Sequence, residues 1–153
     1  MCIRDRFSAT LAPLFEGAPH FLERLAAERP FKSYADLWPR ALAVARAMPE
    51  ADQVELVDAH PRLGAPPASV SALSFHEQGY DRAEAEVADL DRLNAAYEAR
   101  FGFRFCVFVN GRSRSELVPV IAAALEADRP TELRRALGDV VAIAADRYKT
   151  LAR

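Results

Sequence analysis

The stretch Asp58-Ala59-His60-Pro61-Arg62-Leu63-Gly64 sets an imidazole directly before a proline, where an apolar helix pattern runs out. Proline disfavours the helical conformation for its predecessor. His60 is therefore predicted to sit extended at the helix edge, with its ring projecting into the space left by the next segment. That segment brings Ser74, His76, Glu77 and Gln78, the densest group of proton-handling side chains in the chain. An imidazole and a carboxyl group on one pocket can move a proton to or from a bound substrate, and a dry pocket raises the carboxyl pKa toward that task. The two stretches are expected to face each other across a single cavity. Each residue alone has a plainer reading: a lone helix-end histidine usually caps a carbonyl, and a carboxylate near a helix end is usually solvated.

Other chemistries are poorly supplied. His76-Glu77-Gln78-Gly79-Tyr80 begins like a zinc-binding HExxH, but Tyr80 stands where the second histidine must lie one turn on, so no metal is expected. No GxSxG is present. Cys106 lies in an apolar run and reads as a core thiol rather than a nucleophile. Arg147 sits beside the apolar stripe of the last helix pattern. Such an arginine usually snorkels to solvent; the alternative is that its guanidinium enters the pocket and grips an anionic or urea-like group with two parallel bonds. Arg112 and Arg114 read as solvated residues at a helix start.

The totals narrow the field. A chain of 153 residues fits one domain with a core of its own. Lys+Arg 20 against Asp+Glu 22 leaves a net charge of −2, so no broad footprint for nucleic acid exists. Cys2 and Cys106 form no disulfide framework, and a reducing, cytoplasmic setting is expected. No run reaches the roughly 18 apolar residues of a membrane span, and no Ser-Lys-Leu ends the chain. Residues 1–6 show no helix period and no cap, and are read as a tail to a helical domain over residues 7–153.

Helix signals dominate the rest. Pro19 opens a pattern with Phe21, Leu22, Leu25 and Ala26, which ends at Arg29-Pro30-Phe31. Ser33-Tyr34-Ala35-Asp36 resembles a capping box ahead of Leu37, Ala41, Val44, Ala45 and Met48, with Pro39 tolerable only early in that helix. Pro49-Glu50 starts a short helix that stops at His60-Pro61. Ala83, Val87, Leu90, Asn94, Tyr97 and Phe101 step along one face of a long helix that Gly102 ends. The run Phe103–Val109 is strand or buried extended chain, and periodicity cannot say which. Ser113-Arg114-Ser115-Glu116 is a full capping box, and Pro130 opens the last helix, with Leu133, Leu137, Val140, Val141, Ala144 and Tyr148 inward. The expected fold is an all-α, single-domain bundle of about seven or more helices, which removes Rossmann and P-loop readings.

Several blocks together resemble one family. His60-Pro61-Arg62-Leu63-Gly64, then Ser74-x-x-Glu77-Gln78, then Leu93-Asn94-x-x-Tyr97-x-x-Arg100-Phe101-Gly102-Phe103-x-Phe105, looks like the 2-oxo-4-hydroxy-4-carboxy-5-ureidoimidazoline (OHCU) decarboxylases of urate degradation. Arg29-Pro30-Phe31, Gly111-Arg112-Ser113 and Ile143-Ala144-x-x-Arg147-Tyr148 extend the likeness over about residues 7–151. The resemblance implies an all-α, cofactor-free enzyme, commonly a homodimer, that takes a small ureidoimidazoline to (S)-allantoin. It places the catalytic histidine on His60 beside Pro61, and substrate contacts on Ser74, Glu77 and Gln78. It further implies that backbone around Cys106 and Val107 lines the pocket, and that the family's late arginine falls on Arg147. Four positions depart from the pattern. Arg62 replaces an acidic residue, Arg104 the proline of GFPF, His20 a tryptophan, and Ala124 an arginine. These departures leave a rival open, a helical binding module that keeps the fold without turnover.

Overall fold

Helix α7 (Arg129–Leu151) is the longest element of the computed structural model, which describes residues 3–63 and 88–151. Before it come α1 (Ile3–Leu11), a 3-10 turn (Ala12–Leu14), α2 (Pro19–Ala27), α3 (Tyr34–Ala47), α4 (Glu50–Asp58), α5 (Ala88–Phe101) and α6 (Arg114–Ala124). The described residues thus hold seven α-helices and no strand, the all-α architecture expected. Helices α3, α4 and the 3-10 turn all lie against α7, while α5 packs on α6 and α2 bridges α1, α3 and α4.

Local signals explain the helix ends. Ser33 caps α3 by accepting from the Asp36 N–H. Asp36 does not complete a box at Ser33; its carboxylate accepts instead from the Lys32 N–H. With the longer Glu116, Ser113 forms the full reciprocal box at α6. Asp128 caps α7 through the Thr131 N–H. Gly102, at φ 77°, ends α5 in the left-handed region that glycine enters without strain. Both Pro39 and Pro119 lie inside helices, each removing one backbone donor without ending its helix.

Arg114, read as solvated at a helix start, is buried at 9% exposure, and two further stretches bear on the sequence expectation. Residues 3–6, which show no helix period, lie within α1, and the next residue, Phe7, stacks on Phe31 with 6.0 Å between ring centroids. The run after Gly102 is neither strand nor helix; it is irregular buried chain. Phe101, Phe103 and Phe105 each set a ring against Tyr97 with centroids 4.7, 5.8 and 5.1 Å apart. Such aromatic pairs are worth about 0.5–1.5 kcal/mol each beyond the area they bury.

Backbone groups of this irregular run find partners on α7. Arg135 Nη1 donates to the Cys106 carbonyl at 3.0 Å, and the Phe108 N–H donates to Asp139 Oδ2 at 3.1 Å. Arg135 also pairs with Glu132, whose Oε1 accepts from the Tyr97 hydroxyl at 2.7 Å. Buried polar groups need such partners, and here they tie α5, the aromatic run and α7 into one unit.

Candidate active site

His60 stands just past the end of α4. Helix α4 ends at Asp58, Ala59 keeps helical angles, and the His60 N–H still closes a turn on the Val57 carbonyl at 3.2 Å before Pro61 takes the chain away. The ring turns inward, and His60 is 4% exposed. Nδ1 is 3.4 Å from the Leu56 carbonyl, which can only accept, so Nδ1 carries the proton and Nε2 presents its lone pair. Nε2 is buried and has no hydrogen-bond partner among the described residues. Capping a carbonyl is therefore only half of this histidine's role. A buried ring nitrogen left without a partner marks a place where a ligand atom can be received.

The backbone around His60 is held by several elements. Arg104 Nη1 donates to the Asp58 carbonyl at 2.9 Å and reaches the His60 carbonyl at 3.4 Å. On α5, Asn94 Nδ2 donates to the Leu63 carbonyl at 2.8 Å, and Glu98 pairs with Arg62 at 3.4 Å. Asn94 is itself fully buried, and its Oδ1 has no partner among the described residues. Much of the Leu93–Phe105 block is thus structural. Asn94 pins the chain after His60, Tyr97 anchors α5 on Glu132, and Arg100 holds the Ala127 carbonyl at 2.9 Å.

Arg147 does not snorkel. It is 2% exposed, donating from Nη1 to the Pro13 carbonyl at 2.8 Å and from Nη2 to Glu16 Oε1 at 2.9 Å. Sequence reasoning does not single out Glu16. A signal for it existed: a buried guanidinium needs a carboxylate, and Glu16 lies in a turn between helices. Its backbone is left-handed at φ 55°, followed by Gly17 at φ 79°, and the Gly17 N–H closes the turn on the Ala12 carbonyl at 2.8 Å.

These groups act on one another. Burial pushes the His60 imidazole from 6.5 down to about 4, and the Arg147 charge pushes the same way; the Glu16 carboxylate and the Leu56 carbonyl pull it back up. At neutral pH the ring is therefore uncharged, with Nε2 unprotonated. Cys106 and Val107 are buried in the run that Arg104 joins to the His60 turn. Ser74, Glu77 and Gln78 lie outside the described residues, as do His76 and Tyr80. Among the described residues, the carboxylate acting on His60 is Glu16.

One further cluster has donors suited to a cation. His20, Asp52 and Glu55 bring ligand atoms within 4.8 Å of one another at the surface. His20 Nδ1 already bonds Glu55 at 2.7 Å and Arg24 bonds Asp52 at 2.8 Å, so these groups satisfy each other. No helix among the described residues is long and apolar enough to cross a membrane.

Comparison with known proteins agrees with the family resemblance of the chain. A family model described as OHCU decarboxylase matches residues 2–149. The Bacillus subtilis (strain 168) uric acid degradation bifunctional protein PucL is 35% identical over 139 residues, 88% of this chain and 28% of that protein. A second uric acid degradation bifunctional protein, from Bacillus sp. (strain TB-90), is 27% identical, with 97% of this chain covering 30% of it. The chain thus spans under a third of each bifunctional relative. The 2-oxo-4-hydroxy-4-carboxy-5-ureidoimidazoline decarboxylase of Haloferax volcanii is 28% identical, covering 92% of this chain and 85% of that one. Among solved structures, a crystal structure of OHCU decarboxylase in the presence of (S)-allantoin matches with a TM-score of 0.74. It is 21% identical and covers 93% of this chain and 96% of that one, a likeness of fold.

Proposed function

This chain belongs to the OHCU decarboxylase family, and on that premise we propose that it converts 2-oxo-4-hydroxy-4-carboxy-5-ureidoimidazoline to (S)-allantoin in urate degradation, with His60 as the proton-transfer residue. The observation that carries this reading is a buried, neutral imidazole whose Nε2 has no partner among the described residues and which feels the buried charge of Arg147.

The substrate's chemistry sets what the protein must do. Its carboxyl group sits on carbon 4, next to the ring C=N bond at carbon 5. As the C–C bond to the carboxylate breaks, its electron pair enters the bond between carbons 4 and 5. The C=N pair moves onto nitrogen, which takes a proton. The hydroxyl on carbon 4 then gives up its proton as a carbonyl forms, and carbon 5 takes one, so that a single net proton replaces carbon dioxide. The heterocycle is its own electron sink, and the reaction needs no cofactor. The protein holds the carboxylate out of the ring plane, keeps water away and handles the protons on one face.

A neutral His60 with a bare Nε2 suits acceptance of the carbon 4 hydroxyl proton and its return to carbon 5 as the imidazolium. Arg147 supplies positive charge for the carboxylate or ureido oxygens. In this reading Glu77 fixes the substrate hydroxyl or the ring tautomer, Ser74 and Gln78 bond the ureido and ring oxygens, and Pro61 with the backbone of Cys106 and Val107 closes the pocket. The catalytic unit is the helical domain from α1 onward, working as a cytoplasmic homodimer without metal or nucleic acid; light scattering on the purified protein checks the dimer.

The deciding assay mixes urate, urate oxidase and hydroxyisourate hydrolase with this protein and follows circular dichroism of the product. The wild type should bring up the (S)-allantoin signal faster than the spontaneous reaction. His60→Asn should lose about a hundredfold or more of that acceleration while keeping its helical spectrum. No acceleration by the wild type would overturn the activity, and full acceleration by His60→Asn would remove the histidine from its role.

A further inference from the structure

The Glu16–Arg147 pair is built on a left-handed turn. Glu16 adopts φ 55°, a region that side-chain-bearing residues avoid, and this turn between the 3-10 segment and α2 aims its carboxylate inward. Its side chain is 14% exposed and that of Arg147 only 1%, so the pair is largely withdrawn from water. Arg147 comes from α7, almost the far end of the chain, and its other contact, the Pro13 carbonyl, lies in the same turn region as Glu16. Both ends of the guanidinium fork are thereby gripped by one short stretch of chain. Both charges act on His60, with opposite sign.

We propose that Glu16 is a positioning residue for this reaction: its carboxylate fixes the Arg147 guanidinium and balances that charge at the His60 ring. The proposal rests on the reading of His60 and Arg147 as substrate-handling groups. Around the His60 ring, the charged groups acting on it among the described residues are Arg147 from α7 and Glu16 from the turn before α2; Arg104 touches only the backbone carbonyl. Without Glu16 the guanidinium keeps its charge and its bond to the Pro13 carbonyl but loses the carboxylate that fixes its Nη2. It can then follow the substrate carboxylate, so binding survives while alignment for bond cleavage suffers. The uncompensated charge also makes the ring harder to protonate.

The test uses Glu16→Gln and Glu16→Asp in the full chain, with steady-state kinetics by the coupled dichroism assay and an NMR titration of the histidine rings. Glu16→Gln should lose at least tenfold in kcat with KM changed less than threefold, and its His60 ring should stay neutral down to the pH at which the protein unfolds. Glu16→Asp should recover part of kcat, because the carboxylate returns with a shorter reach. A folded Glu16→Gln with a wild-type ring titration and kcat within twofold overturns the proposal. Lower thermal stability with an unmoved ring titration overturns it too, since that is a structural role only. Should Glu16→Gln not fold, Glu16→Asp decides: wild-type kcat and titration in that variant sink the idea. A wild type with no turnover would strike the decarboxylase reading, while the ring titration still decides whether Glu16 governs Arg147 and His60.

Discussion

Arg104 donates its backbone N–H to Asp58 Oδ1 at 2.8 Å, while its guanidinium donates to the Asp58 carbonyl at 2.9 Å. A proline, which stands here in the family pattern, has no N–H to give. This chain thus joins the aromatic run to the end of α4, just before the catalytic candidate, by a tie of its own. Arg104→Ala keeps the backbone bond and should cost about 1 kcal/mol in urea unfolding. Arg104→Pro removes both ties and should cost about 2–3 kcal/mol, with kcat falling more than in the alanine variant. Equal stabilities for the two would mean that the N–H bond contributes nothing.

Arg147→Lys replaces a fork by a point charge at a fully buried site. One ammonium cannot keep the separate reaches of Nη1 to Pro13 and Nη2 to Glu16. The variant should lose about 3 kcal/mol of stability, the lower end of the range for breaking a buried ion pair, and kcat/KM should fall at least tenfold. An unchanged KM together with unchanged kcat would dispose of Arg147 as a substrate group.

Two histidines should report opposite pH effects. His60 titrates near 6.5 in the unfolded chain and at about 4 when folded. Between those values the unfolded chain binds more protons, so stability should fall as pH drops from 6.5 toward 4, by roughly 3 kcal/mol in all. His60→Asn should lack that part of the slope in urea midpoints measured across the window. His20 is shifted the other way, its Glu55 hydrogen bond holding the imidazole above 6.5. Its contribution is therefore present below pH 6.5 and lost as pH rises through its raised folded value. In a single ring titration His20 should protonate first and His60 last as acid is added; coincident midpoints would refute both environments.

Tyr97 is fully buried, and burial, followed by its bond to Glu132, pushes the phenol well above its ordinary value. It should stay protonated until the protein unfolds, visible as a missing step in the alkaline ultraviolet titration that Tyr97→Phe does not change below unfolding. Tyr97→Phe should cost about 1–2 kcal/mol for the lost bond. Glu132→Ala leaves Arg135 and Tyr97 without this partner and should cost about 3 kcal/mol or more. A Glu132→Ala variant as stable as the wild type would show that the network is not what fastens α5 to α7.

How far the sequence could be read depended on the range of the interaction. Ser113 and Glu116 form their box, and Pro61 turns the chain at His60, because each effect is settled within a few residues. Leu133, Leu137, Val140, Val141 and Ala144 are buried as their spacing requires. The irregular path of residues 103–109 was not legible, because it rests on Arg135 and Asp139 of a distant helix rather than on its own pattern.

The candidate site divides along the same line. By itself the sequence determined that His60 stands at a helix edge and that the blocks around it follow the order of one enzyme family, since both are local or linear properties. Only the tertiary structure decided that Arg147 turns inward, and that the carboxylate meeting it comes from Glu16. Those two residues are 131 positions apart, and a buried charge finds its partner through packing in space, which no spacing along the chain encodes.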